Sequence, residues 1–297
     1  IDFSSFGAGN VTTSSSNTNG ILGGYATIAG TTWATVSSGN ITALTSYTSN
    51  TWAAGNNTDV TPSSSPASGS TTNSLRFNTS GAQTLTLAGT NTLTSGGLLV
   101  TSAVGNNTST ITGGTLIGAN NADLVVINNN TQGNLTIASV IANNGTSGLT
   151  KSGNGTLMLT NAANTYSGVT TINDGILNVG TFAAGSSNSS IGSSSNAATN
   201  LVLNGGTLQY TGSAAASTNR RFTLGANGGT IDASGTGAGT LTFSNTSAHT
   251  ATAGAGNRTL TLTGTNTGAN TLAGILPDPT GGTTSIAKTG AGTWVLS

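Results

Sequence analysis

The 297-residue chain has no cysteine and no glutamate, and only four prolines, one methionine and one histidine. Without cysteine the fold cannot rest on disulfides. Charged residues make up 4%, where an ordinary globular domain carries about a quarter. Six Lys and Arg balance six Asp, so the electrostatic footprint of a nucleic-acid binder is missing. No apolar run approaches the ~18 residues of a membrane-spanning helix. The chain opens on Ile1-Asp2-Phe3 without a signal peptide, which reads as a processed or trimmed end. Thr, Ser, Asn and 45 glycines fill most of the rest. These are poor helix formers, and no stretch holds a helical period long enough to count. Disorder goes with low hydrophobicity and high net charge, but here 34% of residues are hydrophobic and the net charge is zero.

The apolar residues that are present alternate. Thr84-Leu85-Thr86-Leu87, Leu98-Leu99-Val100, Leu124-Val125-Val126-Ile127, Leu135-Thr136-Ile137, Thr207-Leu208-Gln209-Tyr210, Leu241-Thr242-Phe243 and Leu260-Thr261-Leu262 read as short strands with one buried side. Gly-Gly-Thr followed by an apolar residue recurs at Gly113, Gly205 and Gly228, each copy a turn that delivers a strand.

The most organised stretch runs from Gly148 to Gly180. It predicts strands at 156–160, 169–172 and 176–179, broken by Gly153-Asn154-Gly155 and by Asn173-Asp174-Gly175, the latter containing a strong turn dipeptide. Its opening returns at the end of the chain. Lys288, Gly290, Gly292, Thr293, Trp294 and Leu296 fall on Lys151, Gly153, Gly155, Thr156, Leu157 and Leu159. Repetition of this kind marks a solenoid. Rungs of roughly 20 to 25 residues would give about 12 to 14 coils and place the two copies about six rungs apart. Leu177 is expected to point into the ladder and Asn178 out of it, so that Leu177→Asp would be severe and Asn178→Asp nearly silent.

Lys151, Gly153, Gly155, Thr156, Leu157, Leu159, Asn164, Thr165, Tyr166, Gly168, Thr170, Gly175 and Leu177 together resemble the autotransporter-associated β-strand repeat of bacterial passenger domains. The resemblance implies an all-β fold, a right-handed parallel β-helix, displayed extracellularly at a bacterial cell surface. It implies no chemistry. Lys151 and Lys288 then take a structural role, the stem lying along the rung with its amine in water.

Residues 1–75 are less regular and read as a capping region; 76–297 read as the regular β-helix, continuing beyond 297 in the native chain. Trp33, Trp52, Tyr25, Tyr47, Phe3 and Phe6 lie in the first part, where bulky aromatics would close the first rungs; a platform for stacking sugars is the sharper alternative. The second repeat copy stops after its first strand, so the last rung is expected to be open. Either further rungs of the same chain or a second copy stacked head to tail would cover it.

Catalytic chemistry finds little support. Asp2, Asp59, Asp123, Asp174, Asp232 and Asp278 stand far apart in sequence, and polysaccharide-degrading β-helices need clustered carboxylates. Asp174 and Asp278 read as turn residues. His249 reads as a surface residue in a Ser-Thr-Ala loop, and Arg220-Arg221 as a solvated turn with one side chain lying on the helix. No catalytic, cofactor or metal residue is expected. The expected role is structural or adhesive, not enzymatic, with fibre formation as an extension and cell-surface glycans as a candidate partner. A polysaccharide-degrading enzyme and a Thr-rich ice- or surface-binding solenoid are the alternatives.

Overall fold

The computed structural model describes residues 1–3, 10–254 and 256–297; Phe6 lies outside them. Among these residues there is no α-helix, only two single-turn 3₁₀ segments, Ser102–Val104 and Ala198–Asn200. The rest is a parallel β-solenoid with three strand-bearing faces, as the alternation predicts.

One turn shows the logic. Leu149–Ser152 runs along the first face, Thr156–Leu159 along the second, and residues 164–166 along the third. The chain then returns to the first face at Thr170–Ile172. Each strand pairs in parallel with the strand one turn away. On the second face Leu157, Leu177, Leu208, Ile231, Leu262 and Lys288 form one column. On the first face the column is Leu75, Leu98, Val126, Lys151, Ile172, Leu203 and Leu224. Near the C-terminal end the third face stacks Thr218, Phe243, Leu272 and Leu296. The spacing within the second-face column shows rungs that vary in length. The step from Leu157 to Leu177 is short, and that from Leu177 to Leu208 is long because residues 180–200 form an extra loop.

The alternation is what builds the core. On each strand every second side chain points inward, and the inward Leu, Ile and Val residues join into one continuous cluster from Val60 to Leu272. A single rung buries little, and stacking makes the core continuous. The turns need glycine at defined places. Gly153, Gly175 and Gly290 have φ of 74°, 62° and 67°, which a side chain disfavours. Gly155 and Gly168 are needed for another reason: a Cβ there would collide with Asn130 O and with the Ser147 backbone of the neighbouring rung.

Where the same backbone bends without a break, strands fuse. Thr84–Val100 passes along all three faces, with irregular register between Leu87 and Thr90, where the sequence reading sees separate strands.

Within residues 1–75, the strands from Asp2–Phe3 to Asn40–Ala43 form a small sheet with antiparallel pairs. Thr48–Ser49, Asn57–Asp59 and Thr71–Phe77 already belong to the parallel ladder. The small sheet lies on the outside of the first face. Trp33 and Ile21 pack on Leu99 and Ile127, which point away from the solenoid core. Trp33 is therefore a lateral contact rather than a plug over the core, whereas Trp52 does pack against the main cluster. Arg76 fastens the junction. It pairs with both Asp59 oxygens at 2.6 and 2.7 Å, donates to Thr31 O at 2.9 Å, and stacks 3.4 Å over the Tyr47 ring. It is the one ion pair among the described residues.

Candidate functional site

The residues singled out in the sequence surround one recurring device, a lysine clamp over a glycine turn. Lys151 occupies a core position on the first face, between Val126 and Ile172. Its amine donates to Ser152 O at 2.9 Å, Gly153 O at 2.6 Å and, from the adjoining rung, Asp174 O at 3.1 Å. The amine is not in water as the sequence reading expects: Lys151 is fully buried. The turn directs its carbonyls inward, and an ammonium with three protons satisfies them. Lys288 repeats the local part, donating to Thr289 O at 2.6 Å and Gly290 O at 2.9 Å.

The two copies stand on different faces. Thr156–Leu159 pairs along the second face, but Trp294–Leu296 pairs along the third. Lys288 stacks in the column of Leu157, five pairings on, not in that of Lys151. The separation is therefore not a whole number of rungs, which corrects the six-rung expectation. The motif encodes a corner and its two flanking strands, and any corner of the solenoid accepts it. Gly292 still makes the close approach of Gly155, its Cβ position 2.7 Å from Asn266 O. Trp294 is half-buried against the core and its indole N–H donates to Thr263 O at 2.8 Å; Leu296 is exposed.

The third-face asparagines are a signal the sequence reading passed over. Asn164 accepts from Ile141 N at 2.8 Å and donates to Ser190 O at 2.9 Å. Asn270 accepts from Leu241 N at 2.8 Å and donates to Thr293 O at 2.9 Å. Both are buried bridges between successive rungs. Asn-Thr followed by Leu or Tyr, at Asn91, Asn164 and Asn270, is the recurrence that marks them. Tyr166, next to this bridge, is buried with its hydroxyl 3.1 Å from that of Thr170, and burial raises its phenol above the usual range.

Two further readings need correction. Arg220 is not solvated but 1% exposed. It donates to Ala183 O, Ser187 O and Gly192 O and, at 2.6 Å, to the Ser194 hydroxyl. It staples the 180–200 loop, whose backbone carbonyls have no ladder partner of their own. Burial lowers its pKa, and among the described residues the guanidinium pairs with no carboxylate. His249 is buried as well, because it continues an apolar column and stacks on Phe222 with ring centroids 3.9 Å apart. Its Nδ1 accepts from Phe222 N, which leaves Nε2–H to donate to Ala273 O at 3.0 Å. Desolvation and Arg221 favour this neutral form, against the Ala273 hydrogen bond. Asn178 faces away from the core as expected but is only 6% exposed. It donates to Gln209, Gln209 donates to Asp232, both at 2.7 Å, and Thr211 donates to Asn178.

The lysine clamp has a pH consequence. Burial pushes the Lys151 ammonium down to about 7, with Asp174 pulling the other way. In the unfolded chain it titrates near 10.4. Between these values the unfolded chain holds a proton the folded chain has released, so stability rises with pH across that window. Urea midpoints at pH 7 and pH 9 should show wild type gaining more than Lys151→Met; equal gains would contradict the lowering of the Lys151 pKa by burial.

Asp174 accepts from Gly175 N at 2.8 Å and Asp278 from Thr284 N at 2.6 Å, as turn residues do. Among the described residues no three His, Cys, Asp or Glu gather as a metal site would require, and no helix is long and apolar enough to cross a membrane.

The architecture is that of a parallel β-solenoid, and comparison with known proteins shows what the chain is similar to. Residues 149–179 and 286–297 match the passenger-associated-transport-repeat, so the chain carries the autotransporter-associated repeat. The chain is also 44% identical over 191 residues to the adhesin BmaC autotransporter of Brucella suis biovar 1 (strain 1330). That match covers 63% of this chain and 5% of the relative's length. No solved structure matches.

Proposed function

We propose that this chain is a segment of a surface-displayed passenger whose role is adhesive rather than enzymatic. The observation that carries the reading is the 44% identity to an autotransporter adhesin over 191 residues. The structure supplies the physical support. Of the buried basic side chains, Lys151, Arg220 and Arg258 are bound to backbone carbonyls and to the Ser194 and Thr252 hydroxyls, and hold the shape of the solenoid. The outer faces are rows of Thr, Ser and Asn, suited to many weak polar contacts along a rod. The relative is about twenty times longer than the matched share of it, which supports further rungs of the same polypeptide as the neighbour of the strands Thr284–Lys288 and Trp294–Leu296. A second copy stacked head to tail into a fibre is the other neighbour that fits. The threonine row Thr84, Thr110, Thr136 gives way to Met158, Asn178, Gln209 and Asp232, so the outer surface is not the flat repetitive array that ice binding would use.

The test is competition. The purified chain, added to host cells, is expected to reduce attachment of bacteria that display the full passenger, in a dose-dependent way. Attachment unchanged at saturating chain, or cleavage of a polysaccharide panel by it, would contradict the reading.

A further inference from the structure

We propose that the groove between the lateral sheet and the solenoid binds a neutral carbohydrate, with a sugar ring stacked on Tyr25 and its hydroxyls held by Asp123. This rests on the adhesive reading and names the kind of partner such a surface would grip.

The groove has a volume of about 430 Å³ and is lined on one side by Thr18, Leu22 and Tyr25 and on the other by Ser95, Asp123 and Val125. Its size and its mixture of apolar wall and few polar groups suit a small ligand of one or two rings. Tyr25 is the one tyrosine with a largely open ring, 48% exposed. The ring is braced rather than free: it lies so close on Gly23 that a Cβ there would collide with it, and its hydroxyl reaches Leu22 O at 3.4 Å. The ring is thus backed by main chain while about half of the residue's surface stays exposed, an arrangement in which an aromatic ring offers area at low entropic cost.

The floor is fixed too. A Cβ on Gly24 would stand 2.5 Å from Gly97 N and 2.7 Å from Ser95 O, so the two walls meet backbone to backbone. Ser95 is held by its hydroxyl donating to Asn73 O at 2.6 Å.

Asp123 supplies the polar end. One oxygen accepts from the Thr150 hydroxyl at 2.5 Å, which sets the orientation of the carboxylate. The other accepts no hydrogen bond among the described residues. A carboxylate oriented in this way takes hydroxyl donors strongly. The exposed Thr18 adds a hydroxyl at the opposite rim. Asp123 is the only charged side chain lining the groove, so it disfavours sialic and uronic acids and selects uncharged sugars.

The experiment is titration calorimetry of the 297-residue chain with lactose, maltotriose, mannotriose and N,N′,N″-triacetylchitotriose, with sialyllactose as the charged control. At least one neutral sugar is expected to bind. Tyr25→Ala and Asp123→Asn should each weaken it by about tenfold, Tyr25→Phe should keep it, and sialyllactose should bind no better than lactose. Thermal melts of the variants show that the fold is intact, which the exposure of Tyr25 favours. Binding of none of the four sugars, or undiminished binding in both Tyr25→Ala and Asp123→Asn, overturns the proposal. A chain that binds none of them yet still blocks bacterial attachment overturns the groove while leaving the adhesive reading in place.

Discussion

Leu177→Asp is expected to prevent the chain from folding, or to cost about 4 kcal/mol or more. Leu177 is fully buried between Leu157 and Leu208. A carboxylate there has apolar neighbours above and below, Leu157 and Leu208, neither of which offers a side-chain donor. The neighbouring Asn178→Asp should be milder but not silent, in contrast to the expectation from alternation alone. Asn178 gives its amide hydrogen to Gln209, whose own amide is committed to Asp232. A carboxylate at 178 removes that donor and sets a second negative charge in the same outward row, at a cost of about 1–2 kcal/mol. Chemical denaturation of both variants checks the order. Equal losses would mean that the strand's two sides are not as described.

Arg220→Met should be the other large effect, about 3–5 kcal/mol. The change keeps most of the buried volume but strips the donors from Ala183 O, Ser187 O, Gly192 O and Ser194 Oγ. These groups lie in the 180–200 loop, where no strand ladder takes over. The loss should be local in its first stage. Proteolysis is expected to cut within 181–197 in the variant and not in wild type, while hydrogen exchange along Ile176–Val179 stays protected. A variant as stable and as resistant as wild type would show that the loop is held by Phe182 and Ile191 in the core alone.

How much of this was legible in the sequence follows from how each feature is encoded. Strands such as Leu241–Phe243 and the stretch Leu260-Thr261-Leu262 are written as alternating apolar residues and are readable directly. Asn57–Asp59 and Asn270–Leu272 were not, because their place in the ladder comes from the rungs beside them rather than from β-propensity. The glycines of the repeat announced its turns. The inward direction of Lys151 was hidden, since a lysine in an alternating strand normally reads as the outward position. Burial is tolerable because its own turn supplies Ser152 O and Gly153 O and the rung beside it Asp174 O. Arg220 and His249 are misread for the same reason: apart from the Ser194 hydroxyl, their hydrogen-bond partners are backbone atoms of residues 24 to 37 positions away, which leave no trace in a sequence. The face on which a repeat copy stands was hidden too, because rung length varies with loops such as 180–200.

That last point is the most direct test of the account, and a cysteine-free chain suits it. In the structure Ala287 stands beside Thr261 on the second face. Had the second repeat copy shared the face of the first, Ala287 would stand over Thr250, since Lys151 and Ala251 belong to one column of the first face. Neighbouring parallel strands lie about 4.8 Å apart, within reach of a disulfide. Under mild oxidation the pair Thr261→Cys with Ala287→Cys is expected to cross-link within the monomer, and Thr250→Cys with Ala287→Cys is not. The reverse pattern would contradict the one-face advance of the repeat and with it the register of the solenoid.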